Sequence, residues 1–156
     1  IAYFESRGNY GVVNKQGYMG RYQFGSNELA TYKVMTEAAV AKYKENPSYY
    51  KNNLNPIINN DAFWATPPGS LKGFLNDTIL QDKVMVKYTY DHFTQLKARG
   101  VLTANSTAKD IAGALMGAHL GGVGGVTSYF KSGTNSSDAN GTSISRYVQL
   151  GRSTQR

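Results

Sequence analysis

From Ile111 to Phe130 the chain runs for twenty residues without a formally charged side chain. A run of that length is long enough to cross a bilayer. It must therefore either span a membrane or lie at the centre of a folded domain. Its contents favour the second. The run holds six glycines, two adjacent pairs among them, together with His119, Thr127 and Ser128. The expectation is a buried helix from about 107 to 119, broken by Gly121, Gly122, Gly124 and Gly125 into a Gly-rich loop. A short helix follows at about 126–131. Thr107 and Asp110 match a capping box, with Asp where Glu or Gln is usual. Ile111, Ala112, Leu115, Met116 and Ala118 make the interior apolar nearly all round, so this helix should be central.

The other elements arrange themselves around it. Residues 1–5 read as the end of a helix stopped by Gly8, one that began upstream of Ile1. Residues 6–25, rich in Gly, Asn and Tyr, read as a loop or a short β-hairpin. A helix is expected over about 26–45, with Ser26 or Asn27 as N-cap. Its apolar positions are Leu29, Tyr32, Met35, Ala39 and Tyr43, and Asn46-Pro47 ends it. Residues 46–76 contain all four prolines and should be irregular, with a functional role or short helices of their own. The strongest helix runs over about 78–99, capped by Asn76 or Asp77 and stopped by Gly100. Its stripe is Ile79, Leu80, Val84, Tyr88, Phe93 and Leu96. A polar loop at 132–142 and a last helix at about 143–150 close the chain. At 156 residues this is the length of one domain. The expectation is a single, mainly α domain over residues 1–156, with at most a small β-hairpin near the N-terminus.

Charge and composition narrow the function classes. Lys and Arg number 17 against 10 Asp and Glu, a formal charge of +7. That favours an anionic partner: nucleic acid, a membrane surface or a wall polymer. Nucleic acid readers gather their cations on one stripe. Here Lys42, Lys51, Lys72, Lys87 and Arg99 are scattered, which fits a solvated surface with a positive bias. No Cys is present and the two His stand 27 residues apart, so neither a disulfide framework nor a zinc site is expected. Asp138-Ala139-Asn140-Gly141 starts like a calcium loop but lacks the later ligands and reads as a turn. No secretory signal is legible, and no cofactor or metal is expected.

Four segments can carry chemistry. Glu5, followed by Ser6, Arg7, Gly8 and Asn9, sits on the last turn of a helix, against the negative end of its dipole. Together with apolar surroundings that placement raises a carboxyl pKa. A carboxylic acid still protonated near neutral pH is what protonates a glycosidic oxygen. Gly17 to Gly25 then sets Tyr18, Tyr22 and Phe24 among three further glycines and Gln23. Aromatic rings cover the apolar faces of pyranoses, and glycine lets backbone approach closely. Gly117-Ala118-His119-Leu120-Gly121-Gly122 places small residues and exposed backbone at the end of the buried helix. Gly141 to Val148 is a capped helix start that presents Tyr147. Each segment alone also reads as ordinary structure: an exposed Glu, a Tyr-rich turn, a helix stop and a terminal helix.

Taken in order, these segments resemble the motifs of the lytic transglycosylases, in the lysozyme-like superfamily. Glu5-Ser6-x-Gly8-Asn9 is similar to the catalytic motif. Gly20-Arg21-Tyr22-Gln23 stands where the family carries Gly-Leu-Met-Gln. Ala118-His119-Leu120-Gly121-Gly122 stands where it carries Ala-Tyr-Asn-Ala-Gly, and Thr142 to Val148 is similar to the last motif. The wording Tyr-Gln-Phe-Gly and His-Leu-Gly-Gly-Val-Gly looks most like phage-encoded cell-wall lysins. The resemblance spans nearly the whole chain and implies a lysozyme-like fold acting on bacterial peptidoglycan. It makes Glu5 the catalytic acid, and Ser6, Tyr18, Tyr22, Gln23, Phe24, His119 and Tyr147 substrate-binding or positioning residues.

The resemblance further implies a monomer in a phage virion or the host periplasm and cell wall, with a virion or membrane-associated partner among the expectations; the scattered cations imply no nucleic acid partner. Two departures stand out. Tyr22 replaces Met, and His119-Leu120 replaces Tyr-Asn, whose Asn normally contacts substrate. His119 either takes over as a hydrogen-bond donor or is a partly buried histidine. A transglycosylase needs one carboxylate, whereas a muramidase usually needs a second, roughly 5–9.5 Å away. Glu28 and Asp61 stay open for that role, and Asp61 and Trp64 either line the groove or serve as core and surface. Two rivals remain: an endopeptidase on the same fold cutting the peptide cross-links, and a non-enzymatic wall-binding module.

Overall fold

A computed structural model describes residues 8–135, 137 and 143–154. Within them the chain is mainly helical and contains no β-strand, only isolated bridges. The expected end of a first helix at 1–5 and the turn at 138–141 lie outside the described residues. The helices are α1 (Ser26–Thr31), α2 (Glu37–Glu45), α3 (Pro47–Tyr50), α4 (Asn55–Ile58), α5 (Leu71–Asn76), α6 (Thr78–Ala98), α7 (Ala108–Ser132) and α8 (Ile144–Ser153), with a 3₁₀ turn at Asp61–Phe63. The fold separates into two compact units, the first extending to Met85 and the second starting at Val86. No helix among the described residues is long and apolar enough to cross a membrane.

The first unit is built from turns and short helices around a dense core. The small β-hairpin expected near the N-terminus is not formed. Met19 and Phe24 exchange both backbone hydrogen bonds, each 2.9 Å, across a four-residue turn, and Val13 bridges Met19. The chain reverses too often for strands to grow: Asn14 closes a turn onto Tyr18, and Gly20 and Gln23 adopt positive φ. Met19, Phe24, Leu29, Leu54, Ile57, Ile58 and Phe74 are all fully or almost fully buried. The Trp64 indole packs 5.5 Å from the Phe74 ring and donates to the Ile58 carbonyl at 2.8 Å, so this polar atom is not stranded in the core.

The single helix expected over 26–45 is two helices. Its N-cap is Gly25 rather than Ser26 or Asn27, with the Glu28 carboxylate accepting from the Gly25 N–H at 2.7 Å. α1 ends after one and a half turns, and Lys33 takes positive φ. Residues 34–36 then run beside 63–65: Thr36 N–H donates to Phe63 O, and Ala65 N–H to Val34 O. This pairing buries Val34 and Met35 against the Trp64 segment. Burial of two large apolar side chains, about 1.5–3 kcal/mol each, exceeds the propensity of a few more helical residues. The irregular region 46–76 carries the short helices α3 to α5.

α6 matches its expected span, and Asp77 is its cap, accepting from the Leu80 N–H at 3.0 Å. Of its expected stripe, Val84 and Leu96 are buried, while Ile79 is 68% exposed. In the second unit, the capping box at Thr107 and Asp110 is formed. The Gly-rich loop expected after 119 is absent. α7 continues to Ser132 and leaves helical geometry within its span only at Gly122 (φ 82°, ψ 154°). The short helix expected at 126–131 is the far arm of this kinked helix, which Gly133 ends in the left-handed conformation.

The reason lies in α8. Gly113, Gly117 and Gly121 recur every four residues on one face of α7. A Cβ added at Gly113 would meet the Val148 carbonyl at 3.0 Å, one at Gly117 would meet Val148 Cγ2 at 3.1 Å, and one at Gly121 would overlap Ile144 Cδ1. Gly151 answers from α8, where a Cβ would overlap the Ala112 carbonyl oxygen. The glycines therefore let two backbones approach closely rather than ending a helix. Leu96, Leu102, Ala114, Ala118, Val123, Val126, Ile144 and Val148 form the core around this crossing.

Candidate active site

The second motif, Gly20 to Gln23, is the best-defined part of the site. Its geometry is set by Gln81, a fully buried polar side chain on α6. Gln81 Oε1 accepts from the Arg21 N–H at 2.9 Å, and its Nε2 donates to the carbonyls of Tyr10 (3.1 Å) and Phe74 (3.0 Å). Gly20 has φ +78° and lies so close that a Cβ would overlap Gln81 Oε1. Glycine is required there on both counts. The turn places Gln23 at φ 55°, with its Nε2 donating to the Gly20 carbonyl at 3.1 Å. The Gln23 side-chain oxygen receives no hydrogen bond from the described residues.

Beside this turn is a polar network that local sequence reading misses. Tyr22 donates to Asp82 Oδ1 at 2.7 Å, and Tyr10 donates to the same carboxylate at 2.9 Å. Arg21 Nη1 donates to the Tyr10 hydroxyl at 2.8 Å, and its guanidinium lies over the Tyr10 and Tyr22 rings at 5.1 and 5.7 Å. Burial, and then the hydrogen bond to Asp82, push the Tyr22 hydroxyl up to about 12, so it remains a donor at any physiological pH. Asp82, which reads as a helix-surface residue, is the anchor of the cluster. A signal for this stretch of α6 was present: Gln81 falls on the same helical stripe as Val84 and Tyr88, and a polar residue at a core position marks a buried network.

The remaining expected site residues separate clearly. Tyr18 is half-buried and donates to the Lys51 carbonyl at 3.1 Å; burial, with Tyr43 and Glu28 nearby, raises its pKa. Phe24 is fully buried, packs 5.8 Å from Tyr22, and is therefore a core residue rather than a groove wall. Trp64 is likewise core. Glu28 is engaged in the α1 cap. Tyr18, Tyr22, Gln23 and Phe24 belong to the first unit, His119 and Tyr147 to the second. His119 meets the Tyr88 ring edge-on at 5.3 Å, and His92 packs on the same ring at 4.1 Å. The short helix α8 presents Tyr147, which is buried. Glu5, Ser6 and Thr142 lie outside the described residues.

The first unit also carries an open groove of about 630 Å³. Gly11, Asn59, Asp61, Ser70, Lys72 and Asn76 contribute to its walls. Asp61 lines this groove, which is separate from the turn around Tyr22 and Gln23. No family model, no curated protein and no solved structure matches the chain.

Proposed function

We propose that the protein is a peptidoglycan-cleaving enzyme of the lytic transglycosylase type, with a lysozyme-like fold and a role as a phage lysin in the virion or the host cell wall. The observation that carries this reading is the order of four motifs along nearly the whole chain, headed by Glu5-Ser6-x-Gly8-Asn9. The packing of the second motif supports it: Gly20 occupies a place only glycine fits, and Gln23 follows on a turn tied to buried Gln81.

In the proposed reaction Glu5 donates its proton to the glycosidic oxygen between N-acetylmuramic acid and N-acetylglucosamine as the bond from C1 to that oxygen breaks. The resulting carboxylate takes the proton of the muramic 6-hydroxyl, whose oxygen closes on C1. The product is a 1,6-anhydro sugar, no water is consumed, and one carboxylate suffices. Gln23 and Tyr147 position Glu5 and the reacting sugar, Tyr18 and Tyr22 face the glycan, and the charge of +7 draws the enzyme to an anionic wall.

His119-Leu120, in place of Tyr-Asn, keeps open a second reading, in which the enzyme cuts peptide cross-links, although the sequence carries no Cys, no zinc motif and no convincing Ser-His-Asp set. Mass spectrometry of digested peptidoglycan separates the two, since anhydro sugars, new reducing ends and free amines report transglycosylase, muramidase and peptidase in turn. Glu5→Gln keeps shape and hydrogen bonding but cannot deliver a proton, and general acid catalysis is worth about 10²–10⁴ in rate. The expected outcome is lost release of wall fragments at an unchanged melting temperature. Lysis by Glu5→Gln at the wild-type rate would refute both the site and the reaction.

A further inference from the structure

The groove in the first unit has a chemistry that a glycan cleft does not call for. Two of its wall residues carry opposite charges, Asp61 on the 3₁₀ turn and Lys72 on α5. Both are exposed, and among the described residues neither belongs to an ion pair, with each other or with a third group. Two unpaired charges of opposite sign in one groove suit a ligand that is itself dipolar. The same walls carry amide and hydroxyl groups with spare capacity. The Asn59 side chain donates to the Asn55 carbonyl, and among the described residues nothing donates to its oxygen. Ser70 Oγ accepts from the Gly73 N–H at 3.0 Å, so its hydrogen remains to donate.

The apolar part of the lining decides the ligand class. Leu71 and Leu75 stand four residues apart on α5, half-buried, and among the described residues no aromatic side chain lines the groove. A sugar site relies on flat rings that cover pyranose faces. Two leucines instead suit small alkyl side chains, and flanking amides suit peptide groups.

We propose that this groove binds a short zwitterionic peptide, with Asp61 receiving an ammonium and Lys72 a carboxylate. Its identification with the stem peptide of peptidoglycan rests on the function proposed above; its peptide chemistry rests on the groove alone. The groove then gives the enzyme a hold on the peptide of its substrate, separate from the contacts around Tyr22 and Gln23.

The test is an NMR titration of the whole chain with a synthetic stem tetrapeptide carrying a free side-chain amine and a C-terminal carboxylate. A tetramer of N-acetylglucosamine serves as the glycan probe. The peptide is expected to shift the amides of Gly11, Asn59, Lys72 and Asn76, and the glycan is not. Lys72→Glu turns an attraction into a repulsion at an exposed position, so peptide affinity should fall about tenfold. Asp61→Asn should weaken it by a smaller factor. Both positions are at the surface, and thermal melting confirms that each variant is folded. Absence of peptide-induced shifts at the groove, or affinity unchanged in both variants, overturns the proposal, as does a glycan that shifts the same amides. Wall digestion is scored on the same samples. If the wild-type protein releases no glycan cleavage products, the transglycosylase reading is refuted, and peptide binding is still judged by the titration.

Discussion

Gln81→Met tests the claim that one buried amide holds the second motif in place. Methionine nearly preserves the length and volume of the side chain, so the cavity term is small and the loss is one of hydrogen bonding. Four partners lose their bond: the Arg21 N–H at 2.9 Å, the Tyr10 carbonyl at 3.1 Å, the Phe74 carbonyl at 3.0 Å and, at the 3.5 Å limit where it adds little, the Leu75 carbonyl. A buried polar group left unmade costs about 1–3 kcal/mol. The Phe74 bond is buried and should sit near the middle of that range. The Tyr10 and Arg21 bonds are part-buried, so water can recover some of the loss and each belongs near the bottom. The sum is about 4 kcal/mol, large against the 5–15 kcal/mol of a typical domain. Urea denaturation followed by tyrosine fluorescence measures it. If the proposed wall-cleaving activity holds, the folded fraction of the variant should also release wall fragments more slowly, because Arg21 and Gln23 lose their register. A destabilisation under about 1 kcal/mol would mean that Gln81 does not organise the turn, and the account of Gly20 would fall with it.

Gly151→Ala should lower the melting temperature, because the new methyl meets the Ala112 carbonyl, Met116 Cβ at 2.7 Å and Gly113 Cα at 2.8 Å, and overpacking of this kind costs about 1–3 kcal/mol. An unchanged melting temperature would show that α7 and α8 are not packed backbone to backbone. The second unit should also be acid-sensitive. Burial, opposed in part by neighbouring Asp91, holds the His92 pKa below its ordinary 6.5, so the unfolded chain binds the proton more readily. The stability that His92 contributes is therefore full above about pH 6.5 and is lost as pH falls from there towards the folded-state pKa. Melting scans between pH 7.5 and 5 in wild type and His92→Gln should show a steeper fall in the wild type, and parallel curves would remove His92 from that role.

Elements with local signals were legible in advance. α6 needs only its Asp77 cap, its apolar stripe and Gly100, all within the segment itself. α7 begins where Thr107 and Asp110 say it should. What failed depended on distant partners. Leu29, Tyr32, Met35, Ala39 and Tyr43 satisfy a helical period, yet Val34 and Met35 turn away to pair with residues 63–65, and nothing between 26 and 45 records that. Gly121 and Gly122 read as one helix stop, but only Gly122 leaves helical geometry. Gly121, with Gly113 and Gly117, makes room for Ile144 and Val148, a purpose invisible until α8 is laid against α7.

The same division runs through the candidate site. The concentration of Tyr and Gly between residues 17 and 25 correctly marked an unusual segment, but it could not separate Tyr22, tethered by its hydroxyl, from Phe24, buried beneath it. That distinction comes from Asp82, sixty residues away, which accepts from the Tyr22 hydroxyl. Gly20 was legible as one letter of a motif, yet its physical cause is Gln81, whose amide fills the space a side chain would need. A motif of four consecutive residues is therefore half of a structure whose other half lies on α6. Substituting either half disturbs the other, so Gly20→Ala and Gln81→Ala should be strongly non-additive when combined: once the Gln81 amide is gone the methyl has less to collide with, and the double variant should be less destabilised than the sum of the two singles. Strict additivity would mean that the turn and the helix are independent, and that Gly20 is needed for its backbone angle alone.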